Sequence, residues 1–109
     1  KWLVPGGIIH IEVPSSKHLI AKLIDIYYKL CETNYVTHLS PMHPPFHLYE
    51  FGLKSFHELG NKLNYSVIKY QYQVCPIDFV PKILHPIFTT YMKWTNTGMQ
   101  LTVYLRANK

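Results

Sequence analysis

Residues Lys1–Pro14, KWLVPGGIIHIEVP, decide the fold: a Pro-Gly-Gly turn runs straight into a β-branched apolar strand that stops at a proline. Alternation across Ile8–Val13 places Ile9, Ile11 and Val13 on one face and Ile8, His10 and Glu12 on the other. With so few polar positions the segment reads as an inner strand covered on both sides, as in a parallel sheet. A chain that opens in a turn feeding such a strand begins in a connection that an earlier element should supply. The expectation is a fragment of a larger α/β protein, with one edge of this strand left open.

Moving outward, Pro14-Ser15-Ser16 ends the strand and offers an N-cap for a helix. Leu19, Ile20, Leu23, Ile24, Tyr27 and Leu30 recur at helical spacing, which predicts an amphipathic helix over Lys17–Cys31. Periodicity is then lost from Glu32 to Glu50, where THLSPMHPPFHLYEF carries three prolines and three histidines and reads as an irregular loop. Helical spacing returns over Leu53–Leu63, with Leu53, Phe56, Leu59 and Leu63 inward and a Glu58–Lys62 pair outside.

Strict alternation over Ser66–Val74 predicts a strand, with Ile68, Tyr70, Tyr72 and Val74 opposite Val67, Lys69, Gln71 and Gln73. A second insertion holds a helix over about 81–95, which Pro86 either kinks or starts. After the turn Asn96-Thr97-Gly98, Met99, Leu101, Val103 and Leu105 alternate with Gln100, Thr102, Tyr104 and Arg106 as the last strand. The order is β-α-loop-α-β-α-β in one domain over 1–109, with insertions at about 32–51 and 76–98.

Composition bounds the functions. The apolar share is 48% and the aromatic share 15%, nine of those rings being tyrosines, which bring contact area and a hydroxyl in need of a partner. The net charge of +5 comes from dispersed lysines, with Arg106 the lone arginine. Nucleic-acid binding is not expected from such a pattern, because a phosphate-reading face clusters arginines. No apolar run reaches the length of about 18 residues that a membrane span needs. Cys31 and Cys75 form no CxxC and read as buried free thiols of a reducing compartment, consistent with a cytoplasmic location.

Three segments together resemble S-adenosylmethionine-dependent methyltransferases of the doubly wound class. VPGGIIHIEVP is similar to the approach to strand five, L-x-P-G-G followed by an apolar strand. HPPFHLYEFGLKSFHELGNKLNYSVIKYQ resembles the ubiquinone-biosynthesis-like branch, H-x-H-x-Y/F-F-S-x-x-S-L-x-x-L-L-x-x-x-G-F, where a loop with paired histidines precedes a short helix and strand six. MQLTVYLRANK is similar to strand seven, which inserts antiparallel beside strand five. The resemblance covers nearly the whole chain. It implies an α/β fold class: the C-terminal part of a doubly wound, Rossmann-like methyltransferase sheet, strands five to seven with flanking helices. Gly52 departs from the family's Ser or Thr N-cap, and Asn64-Tyr65 replaces its Gly-Phe turn. Asn still accepts a left-handed conformation there.

The resemblance implies that the complete protein uses S-adenosylmethionine. In the family a glycine-rich turn after strand one and an acidic residue ending strand two hold it, the glycines allowing close backbone approach and the carboxylate accepting ribose hydroxyls. Pro5-Gly6-Gly7 precedes a strand instead, so no cofactor binding is expected of this fragment alone. The expected partners are a small-molecule methyl acceptor, the missing N-terminal half, and a second copy through the open strand edge.

Substrate-side candidates are Glu12, His43, His47 and Tyr49. His38, His43 and His47 fall within ten positions and admit three readings. Hydrogen bonding to loop backbone at the active-site mouth is favoured; substrate contact or general-base work is second. Zinc is third, the spacing being irregular with no acidic or cysteine partner inside the loop. Tyr49 and Phe51 either pack on the following helix or line a pocket. Glu12 ends a strand where open α/β sheets bind ligands, and of substrate contact and a solvated polar tip the second is favoured. No catalytic residue is assigned, since methyl transfer from a sulfonium needs little beyond in-line alignment. The rival readings are a small α+β binding or assembly module without cofactor, and a metal-dependent hydrolase built on the histidines.

Overall fold

The computed structural model describes residues 4–37, 49–77 and 80–108. It is a small α+β arrangement: β1 (Ile8–Pro14), α1 (Leu19–Leu30), α2 (Leu53–Leu63), β2 (Tyr65–Gln73), α3 (His85–Thr95) and β3 (Gln100–Ala107). The strands form one sheet in the order β1-β3-β2, and β3 runs antiparallel to both neighbours. β1 and β2 are therefore parallel to one another, which is why helices and not a tight turn separate them.

The opening turn follows from its residues. Gly7 N–H donates to the Val4 carbonyl at 2.9 Å, with Pro5 at the second position and Gly6 at the third with φ +77°. That is the type II arrangement, in which proline presets one φ and glycine accepts the positive one.

β1 differs from expectation. Ile9, Ile11 and Val13 do oppose Leu105, Val103 and Leu101 across the ladder. The other face is not covered by any described residue: His10 and Glu12 keep 48% and 42% of their side chains exposed, and β1 lies at the sheet margin. Its lone neighbour β3 satisfies one edge, so the inner-strand expectation fails here for want of a second neighbour.

One core cluster fills the covered face. Phe56 from α2 sits on Leu101, Val103 and Leu105, with Ile11, Val13, Leu53, Tyr65, Val67 and Tyr72 packed around them. The inward line of α2 is Leu53, Phe56 and Gly60, while Leu59 and Leu63 are exposed, contrary to the spacing argument. Gly60 explains the rotation: a Cβ there would come within 2.7 Å of the Tyr65 carbonyl oxygen, so the helix turns its bare position to the strand. Asn64 then takes φ 57°, ψ 51° and reverses the chain into β2, as its sequence allowed. The exterior ion pair is Lys54–Glu58 at 3.5 Å, where Glu58–Lys62 was expected.

A bulge between Val67 and Lys69 also overrides simple alternation. The extra residue moves Val67 onto the face of Tyr70 and Tyr72 and leaves Ile68 43% exposed. A second cluster joins Ile20 of α1 and Met92 of α3 to Ile77, beside Phe88, Val74 and Met99. α1 begins at Leu19 and not at Lys17. Ser15 is buried and its Oγ accepts the Lys17 N–H at 3.1 Å, one turn ahead of the helix, so it caps a turn and not α1. Pro86 marks the first turn of α3, the second of the two outcomes anticipated for it. Among the described residues, no helix is long and apolar enough to cross a membrane.

Candidate functional site

β1 and β2 point their carboxyl ends at the second cluster, and a cavity of about 560 Å³ opens there. Its floor is α1 (Ile20, Ala21, Ile24), and Ile77 and Met99 close the side next to the sheet. His18, Tyr27, Tyr28 and Thr37 are the polar side chains among its lining. Thr37 is fixed by a clasp on α1: its N–H and its hydroxyl each donate to Asp25 Oδ1 at 2.9 Å. Its Oγ1 also lies 3.2 Å from the Ala21 carbonyl. The segment after α1 is thereby held over the helix as one wall.

Tyr27 has its pKa raised, first by a side-chain hydrogen bond with Cys31 and then by repulsion from the thiolate that Cys31 forms on losing its proton. Cys31 is exposed at the end of α1 and Cys75 half-buried, both free; the expectation of two buried thiols fails because α1 ends at the surface.

The sequence candidates do not converge. Glu12 lies on the open face of the sheet, 3.2 Å from His10 Nε2, and accepts the Gln100 Nε2–H at 2.8 Å. His10 in turn stacks on Tyr104 with ring centroids 4.8 Å apart, and Lys69 stands 5.8 Å from the centre of that ring. Glu12 thus belongs to a polar ladder across β1, β3 and β2. Tyr49 is 75% exposed ahead of α2 and lines no described pocket. Its neighbour Phe51 tilts against Phe56 at 6.0 Å, the packing alternative of the two weighed for it. His38, His43 and His47 lie outside the described residues. Among the described residues no group of three or more His, Cys, Asp or Glu could hold a metal ion.

Of the lining residues, Ile20, Ile24 and Tyr27 belong to the helical stripe legible in the sequence, whereas Ala21 and Tyr28 lie outside it. That stripe reads equally as ordinary core, and the Asp25–Thr37 clasp that turns it into a wall has no local signal.

Two phenols are left without partners among the described residues: Tyr65 Oη and Tyr72 Oη are buried and unbonded. Burial raises the pKa of both, and for Tyr72 the nearby Tyr70 adds to it. A neutral phenol is what a dry site tolerates.

Compared with family models and with curated proteins, the chain matches none.

Proposed function

We propose that this chain is the substrate-side half of an S-adenosylmethionine-dependent methyltransferase, built from the last three strands of a doubly wound sheet. One observation carries the reading: two parallel strands, β1 and β2, flank an antiparallel β3, and among the described residues no second strand pairs with β1. In the family resembled, strand seven inserts antiparallel beside strand five, as β3 stands beside β1. The cavity beside the carboxyl ends of β1 and β2 supports an acceptor site, because open α/β sheets bind ligands there. Its largely apolar lining suits a small organic acceptor.

In this reading the chain positions the acceptor, and the cofactor belongs to the half that precedes Lys1. Chemistry at the acceptor then rests on alignment, with Tyr27, Tyr28 and Thr37 as the hydroxyls at hand. The rival, an α+β binding module with no cofactor, draws on a specific observation too. The face bearing His10 and Glu12 is finished with polar side chains.

Calorimetric titration separates the two. S-adenosylmethionine should give no binding heat with the 109-residue chain. It should bind one-to-one to the same chain extended by the residues its gene encodes upstream of Lys1. Binding to the short chain, or none to the extended protein, overturns the proposal.

A further inference from the structure

α3 carries two apolar stripes about a third of a turn apart at 3.6 residues per turn, and the described fold buries just one of them. Met92 is fully buried and Phe88 packs beside it against α1. Around the other side, Ile87, Tyr91 and Trp94 recur at i, i+4 and i+7, exposed by 65%, 47% and 80%. Ile83, in the 3₁₀ turn Lys82–Leu84 just before the helix, is 83% exposed. None of the described residues covers this stripe.

Charge selects the occupant. Residues 80–108 hold Lys82, Lys93 and Arg106 and not one Asp or Glu. Lys93 is exposed about a third of a turn from the midline of the stripe at 3.6 residues per turn, and Lys82 is exposed in the turn just before the helix. A second copy docking by twofold symmetry would bring the same basic helix against itself, with no carboxylate on α3 to offset the lysines. An anionic, apolar-cored surface fits both features. Trp94 and Tyr91 join an apolar body to a polar tip, the side-chain type that settles at the headgroup boundary, while lysine stems let the ammonium reach the phosphates. Between them Pro86, Ile87, Thr90, Tyr91 and Trp94 line a hollow of about 490 Å³.

We infer that the outward face of α3, from Ile83 to Trp94, docks this chain onto an anionic lipid bilayer as a peripheral protein. The helix lies flat in the interface with its apolar stripe down. The inference does not depend on the methyl-transfer reading.

Vesicle sedimentation tests it, with phosphatidylcholine vesicles compared with vesicles that also contain phosphatidylserine. The bound fraction should be about tenfold higher on the anionic vesicles at low salt and should fall toward the neutral value at roughly 1 M salt. With Trp2→Phe as background, Trp94 emission should shift to the blue on binding. The double variant Ile87→Ser, Trp94→Ser should keep the circular dichroism of the parent and lose the vesicle binding. Equal binding to both vesicle types overturns the inference, as does undiminished binding by the double variant. So does a concentration-dependent dimer that the double variant abolishes while vesicles are ignored.

Discussion

Phe56→Ala should destabilise the chain by about 3–5 kcal/mol, whereas Leu59→Ala, one turn along the same helix, should stay within about 0.5 kcal/mol. Phe56 is the one large side chain of α2 that is buried, and it seats on Leu101, Val103 and Leu105 of the sheet. Removing its ring leaves a cavity that the paired strands are too constrained to close. Leu59 is 46% exposed and gives up little on truncation. A domain of this size has about 5–15 kcal/mol in total, so the Phe56 variant should melt at least about 15 °C lower. Thermal melts followed by circular dichroism check the pair. Equal losses would mean that α2 packs by its hydrophobic periodicity and not by the Gly60 contact.

The second large effect concerns the two edges of β1. The Ala107 N–H donates to the Gly7 carbonyl at 3.2 Å and the Ser15 N–H to Met99 at 2.9 Å. Both contacts fall on odd positions, and antiparallel pairs alternate with period two. Ile9, Ile11 and Val13 therefore turn their backbone groups to β3, while Ile8, His10 and Glu12 turn theirs outward. The next outward position, Pro14, has no N–H, and at Ser16 beyond it the N–H already meets the Phe51 carbonyl at 3.4 Å, so the open stretch ends there.

Proline reads this phase directly. Ile11→Pro deletes a ladder hydrogen bond in the middle of β1 and should abolish cooperative folding. His10→Pro deletes a donor that β3 does not use and should leave the sheet folded. An exposed edge with β-branched neighbours also recruits other chains. The parent should accordingly self-associate as concentration rises in analytical sedimentation, and His10→Pro should suppress that. Indistinguishable behaviour of the two proline variants would contradict the assigned phase.

These cases show what was legible beforehand. Alternation identified all three strands, and the apolar positions of β1 and β3 were assigned correctly because no irregularity interrupts them. β2 was half right, since a bulge leaves no mark in a run as uniformly β-prone as Val67-Ile68-Lys69. The α2 stripe was misjudged at Leu59 and Leu63 because periodicity counts apolar side chains, whereas the decisive contact is made by a glycine with none. Coverage of β1 was not legible at all: residue type reports what a strand tolerates, while burial depends on which neighbours are present. The cavity depends on Thr37 reaching back to Asp25, a pairing no local pattern encodes. Of the four substrate-side candidates, Glu12 found partners on the open sheet face, Tyr49 is exposed, and His43 and His47 lie outside the described residues.

Residue-by-residue amide exchange on dilute monomer tests the unpaired edge most directly. The amides of Ile9, Ile11 and Val13 should exchange at least about a hundredfold more slowly than those of Ile8, His10 and Glu12. Extending the chain upstream of Lys1 should then slow the second set to match the first. Uniform protection along β1 in the 109-residue monomer would contradict the account, because it would mean that the outer edge is already closed by this chain.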